Sequence, residues 1–127
     1  MTDKLKRAQR IIENIYSATI GNADNPPSMS FYQSDTYRFF FLLSFMHEHF
    51  KGSEISQEYA ISLVPKKYAS RIKRLQVLKH SVHLGYINET SSLVDKRRRI
   101  YTPSDSMIQD FLNMTESVST FNDRKAS

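Results

Sequence analysis

Apolar residues recur at helical spacing near the start of the chain: Leu5, Ala8, Ile12, Ile15 and Thr19 lie three or four apart, with Lys and Arg between them. This narrow stripe predicts an amphipathic helix over residues 1–20 whose apolar edge suits a partner helix. Gly21, Asn22, Asn25, Pro26 and Pro27 then crowd together, and adjacent prolines cannot continue a helix, so 21–33 reads as a linker. Ser34 and Asp35 supply an N-cap and an acidic first turn for a helix over 35–51. In that helix the run Tyr37 to Phe50 is apolar on nearly every side until Lys51 and Gly52 end it. A helix of that kind belongs at the centre of a domain.

Ser56 opens a short helix that Pro65 ends, Lys66 to Ala69 connect, and Ser70 caps the helix that follows. From Arg71 to Leu84, Ile72, Leu75, Leu78 and Val82 are expected on one face, and Lys73, Arg74, Gln76, Lys79 and His80 largely elsewhere. Gly85 stops this helix. Tyr86 and Ile87 start a strand, Asn88 to Leu93 is turn-prone, and Arg99 to Thr102 make a returning strand. Pro103 and Ser104 open a last helix carrying Met107, Ile108, Phe111, Leu112 and Thr115 on one side, with 116–127 as a flexible tail. The order predicts a mainly α protein with a small β-hairpin (α+β): a winged helix-turn-helix over 34–115, flanked by N- and C-terminal helices.

Charge shows where to look for function. The chain carries +5 overall, yet ten basic and two acidic residues between Lys66 and Tyr101 give that segment +8 and leave the remainder at −3. A basic helix followed by a basic hairpin suits a nucleic-acid duplex, with the helix in the major groove and the hairpin in the adjoining minor groove. The expected DNA contacts are Lys66, Lys67, Ser70, Arg71, Lys73, Arg74, Gln76 and Lys79 around the helix, and Lys96, Arg97, Arg98 and Arg99 on the hairpin. Arg74 or Gln76 is the expected reader of base edges, and Lys73 and Lys79 the phosphate contacts. Four adjacent cations also suit an anionic membrane or RNA, and a winged helix can serve as an adaptor for an acidic protein or as a replication or plasmid-maintenance factor.

Other chemistry is poorly represented. With no cysteine, neither a disulfide nor a thiolate metal site is possible. His47 and His49 point to different faces of a helix, and His80 and His83 have no carboxylate near them in sequence, so no metal or other cofactor is expected. The aromatic run Tyr37, Phe39, Phe40, Phe41, Phe45 and Phe50 is interleaved by no cation except Arg38, which makes it core rather than a base-stacking platform. No phosphate loop, nucleophile elbow or His-Glu-x-x-His pair occurs, so no enzyme is expected. The longest apolar stretch, Phe39 to Met46, is far below a bilayer span, and the first twenty residues lack a signal-like apolar run; a cytoplasmic protein without a membrane partner is expected.

The step Leu84-Gly85-Tyr86-Ile87, followed by Asp95-Lys96-Arg97-Arg98-Arg99-Ile100-Tyr101-Thr102-Pro103-Ser104, resembles the MarR-like winged-helix regulators. Those proteins show a hydrophobic-Gly-hydrophobic step after the recognition helix, an Asp-x-Arg wing and a Thr-Pro start to the next helix. The likeness covers about residues 53 to 115, with a wing compressed between Asp95 and Thr102 and a short last helix. It implies that Asp95 orients a wing arginine, that Arg97 and Arg98 enter the minor groove, and that the protein is a two-fold dimer built from terminal helices. The stripe Leu5, Ala8, Ile12 and Ile15 independently calls for a covering partner, which makes a homodimer the economical expectation. No pocket signature carries over, so an effector ligand stays open.

Overall fold

The computed structural model describes residues 2–119 of the chain. Its elements in order are α1 (Thr2–Ala18), α2 (Pro27–Gln33), α3 (Thr36–Lys51), α4 (Gln57–Ser62), a 3-10 turn (Lys66–Tyr68), α5 (Arg71–His83), β1 (Ile87–Ser91), β2 (Arg99–Pro103) and α6 (Asp105–Ser119). The protein is thus mainly helical with one two-stranded antiparallel sheet, in which Ile87 pairs with Pro103 and Ser91 with Arg99.

Local chemistry sets most of the boundaries. Asp35, Ser56 and Ser70 cap α3, α4 and α5 by accepting from the backbone N–H of Arg38, Tyr59 and Lys73, each three residues on. The cap of α3 is therefore Asp35 itself, while Ser34 ends α2. Gly52 and Gly85 stand just past α3 and α5 at φ 88° and 82°, where a side chain would be strained. Beyond α5, the N–H of Tyr86 donates back to the Ser81 carbonyl at 3.0 Å, which turns the chain into β1.

The core forms around α3, whose Tyr37, Phe41, Leu42, Phe45 and Met46 are buried. Met29 and Tyr32 from α2, Val77 and Leu78 from α5, Ile87 and Tyr101 from the hairpin and Met107 and Phe111 from α6 complete it. Not every apolar side chain of α3 points inward, since Phe40, Leu43 and Phe50 are exposed. A third backbone segment joins the hairpin: Ser56 bridges Ile100, and the N–H of Tyr101 donates to the Ile55 carbonyl at 2.8 Å. The helix-turn-helix α4–α5 is thereby tied to its wing, and the layout is that of a winged helix. Among the described residues no helix is long and apolar enough to cross a membrane.

Two segments differ from the sequence reading. The linker expected over 21–33 contains α2: Pro26 is extended, and Pro27 takes the first helical position, where a missing N–H costs nothing. Ser28, Met29 and Tyr32 of this helix are buried. The first residues of the tail expected from Glu116 are helical instead, because α6 runs to Ser119 and Asn14 of α1 donates from Nδ2 to the Val118 carbonyl at 2.9 Å. The remainder of that expected tail, 120–127, lies outside the described residues. Helix α1 packs on α6 through Asn14 and Ala18, which leaves Leu5, Ala8, Ile12 and Ile15 exposed.

Near the end of α3 the buried Glu48 carboxylate accepts hydrogen bonds from the Tyr59 hydroxyl, from Ser53 Oγ at 3.0 Å and from Lys51 Nζ at 3.4 Å. The hydroxyl of Tyr59, then that of Ser53, holds its pKa at about 2, against 4.5 for an ordinary glutamate. The folded value lies below the unfolded one, so this stabilisation is complete above about pH 4.5 and is lost as pH falls towards 2. The urea midpoint of the native chain should accordingly drop over that acid range, and the drop should be smaller in Glu48→Gln; equal drops would show that Glu48 does not contribute.

Candidate nucleic-acid interface

Ser70 caps α5 by accepting from the Lys73 N–H, and the helix buries Val77, Leu78 and Ser81. That face decides where each basic residue goes, at about 100° of rotation per residue. Gln76 falls nearly opposite Leu78, is exposed, and has no hydrogen-bond partner among the described residues. Ile72, expected on the inner face, lies about 120° from Leu78 and is 69% exposed.

Arg74 lies one turn before Leu78, on the inward side, half-buried, and its guanidinium is engaged by backbone carbonyls. Its Nη1 donates to the Ile61 carbonyl at 2.7 Å and its Nε to the Ala69 carbonyl at 3.2 Å. It satisfies a carbonyl left without an intrahelical donor in the last turn of α4 and clasps α4 to the start of α5. Replacing Arg74 with Ala should lower stability by about 1.5–3 kcal/mol while leaving duplex affinity nearly unchanged at a temperature where the variant is folded. A selective loss of affinity with an unaltered thermal melt would return Arg74 to the binding surface.

The other cations of the segment stay at the surface, and carboxylates meet five of them. Arg71 pairs with Glu58 at 2.9 Å, Lys73 with Asp35 at 2.7 Å, Lys79 with Glu89 at 2.8 Å, Arg97 with Asp95 at 3.7 Å and Arg98 with Glu54 at 3.5 Å. Asp35, Glu54 and Glu58 come from outside the basic segment, and these three charges lower its local excess from +8 to +5. Asp35 is held below the usual carboxylate range chiefly by its hydrogen bond from Lys73. Lys66 and Lys67 are exposed before α5, with Lys67 above the Tyr68 ring at 5.2 Å. Lys96 and Arg99 are exposed on the hairpin, where Arg99 donates to Ser91 Oγ at 3.2 Å.

Lys79 joins the helix to the wing. Its Nζ donates to Glu89 Oε2 and, at 3.0 Å, to the Tyr101 hydroxyl, which itself donates to Glu89. The Glu89 hydrogen bond, then that of Tyr101, raises the Lys79 pKa, and the same lysine lowers that of Glu89. Beside it, Arg38, Lys73, Gln76, Val77, Lys79 and His80 line a groove of about 540 Å³ along the outer face of α5. Arg38 had no part in the expected site; its guanidinium sits over Phe31 of α2, 4.3 Å from the ring centre.

On the wing, Asp95 Oδ1 accepts from the Arg97 N–H at 3.0 Å and lies within ion-pair distance of Arg97 Nε. Arg71 and Arg98 reach Glu58 and Glu54, four positions apart in the chain, so the start of α5 and the apex end of the wing are both tied to the segment that leads into α4. The chain matches no family model, no curated protein and no solved structure.

Proposed function

We propose that the protein is a sequence-specific regulator that binds double-stranded DNA as a homodimer, in the manner of the MarR-like winged-helix proteins. The observation that carries this reading is the groove along α5 edged by Arg38, Lys73, Gln76 and Lys79, coupled through Lys79, Glu89 and Tyr101 to a hairpin bearing Lys96 to Arg99. A recognition helix needs an outer face that can meet base edges and phosphates together, and a wing held at a set angle to it.

Gln76 replaces Arg74 as the base-edge reader in this reading, since its free amide can donate to and accept from adenine. Lys66, Lys67, Lys96 and Arg99 meet phosphates directly. Arg71, Lys73, Arg97 and Arg98 exchange a carboxylate for a phosphate, at low cost because exposed ion pairs contribute only about 0–1 kcal/mol each, while Lys79 keeps Glu89 and Tyr101 and so holds the wing against α5. The exposed stripe Leu5, Ala8, Ile12 and Ile15 would be covered by the second protomer. Two α5 helices would then lie about 34–36 Å apart on a near-palindromic site, and promoter occlusion would make the protein a repressor.

Selection of bound sequences from a random duplex pool tests the reading. The expected product is an inverted repeat with half-sites one helical turn apart; a pool that remains unenriched overturns it.

A further inference from the structure

Leu93 and Val94 are 100% and 95% exposed, more than any other large hydrophobic side chain among the described residues. One exposed apolar residue would mean little, because folded proteins expose many. These two are adjacent, and the turn that displays them is ordered by its own hydrogen bonds. Ser92 is buried, and its Oγ accepts from the N–H groups of Val94 and Asp95 at 3.1 and 3.3 Å. The Ser92 N–H donates to the Arg98 carbonyl at 2.8 Å and the Arg98 N–H to that of Asp95 at 2.9 Å. Asp95 also takes the Arg97 N–H. The apex is a tied loop that holds two aliphatic side chains away from the core, with Lys96, Arg97, Arg98 and Arg99 immediately behind them.

We infer that Leu93 and Val94 form a wedge that enters a base step of the minor groove, while the cations behind them neutralise the flanking phosphates, so that the protein kinks the duplex it binds. The inference rests on the DNA-binding reading above and adds a mechanism to it. Small apolar side chains inserted between base pairs unstack them and bend the duplex, and the narrow, negative groove attracts cations beside the wedge. An anionic bilayer offers the same pairing of apolar and negative partners, but binding at a membrane surface scales with the apolar area inserted. Only two aliphatic residues project here, and the groove on α5 is lined by Val77 together with the cations Arg38, Lys73 and Lys79 and the polar Gln76 and His80. The chemistry of this face favours DNA.

The wedge should prefer pyrimidine–purine steps, which unstack most easily. The test uses the full chain, a duplex of about two helical turns with central TpA steps carrying 2-aminopurine, a GC-rich duplex of equal length, and vesicles with and without phosphatidylserine. The native protein should raise 2-aminopurine fluorescence on binding and prefer the TpA duplex. Leu93→Ser with Val94→Ser should abolish the rise and lower TpA affinity by about tenfold while leaving GC-rich affinity and the thermal melt unchanged. Leu93→Met with Val94→Ile should retain the signal. Binding without any rise, or an equal rise in the serine variant, overturns the wedge and leaves the DNA reading standing. Absence of binding to both duplexes overturns both, and tip-dependent binding to phosphatidylserine vesicles would then assign the apex to a membrane.

Discussion

Replacing Tyr32 with Ala should lower the unfolding free energy by about 3–5 kcal/mol, the usual range for truncating a buried aromatic, and the Tm by roughly 10 °C or more. Tyr32 lies in the segment that reads as a linker, so its cost measures whether α2 is part of the core. The ring is fully buried between Phe31, Phe41 and Tyr86. Its hydroxyl donates to Ser81 Oγ at 2.7 Å, and Ser81 donates in turn to the Val77 carbonyl inside α5. Removing the ring leaves a cavity where α2 and α3 meet α5. Tyr32→Phe keeps the volume and removes one hydrogen bond, at about 1 kcal/mol. Burial also raises the Tyr32 pKa above its ordinary value of 10.0. The folded value exceeds the unfolded one, so this contribution is complete below about pH 10 and is lost as pH rises through the folded value. Urea and thermal unfolding of the three proteins measure these terms; a loss under about 1 kcal/mol for Tyr32→Ala would leave α2 a mere connection.

The second large effect concerns salt. Lys66, Lys67, Lys96 and Arg99 form no ion pair with a carboxylate among the described residues, which would supply eight ready phosphate contacts in a dimer. Each contact releases counterions, so log affinity against log salt should have a slope of about −7 from these contacts alone and a steeper one as the ion-paired cations join, and affinity should fall by at least about 10³–10⁵ between 50 and 200 mM salt. Anisotropy titration of a labelled duplex over that range measures it. Alanine at both Lys66 and Lys67 should make the slope shallower by about 3–4. A native slope near zero would exclude phosphate neutralisation and favour an acidic protein partner for the same surface.

The inward position of Arg74 was open to sequence reasoning, because residues four apart share a helix face and Leu78 is an evident core residue. It was missed because Ile72, an aliphatic at the exposed start of α5, pulls the apparent apolar stripe away from Val77 and Ser81. Pro26 and Pro27 misled in a related way. A proline pair forbids continuation of a helix but permits the start of one, and only the burial of Met29 and Tyr32 shows which applies here.

What the chain determined by itself is short in range: the caps at Ser56 and Ser70, the stops at Gly52 and Gly85, the apolar helix that ends at Gly52 and the basic stretch from Lys66 to Arg99. Each depends on residues within a few positions of one another, so spacing alone reveals it. Tertiary structure decided which of those charges are free. Asp35, Glu54 and Glu58 reach Lys73, Arg98 and Arg71 only after folding, and Tyr101 and Glu89 lock Lys79 to the wing only once strand and helix pack. Such pairings depend on distance in space, for which separation along the chain is no guide.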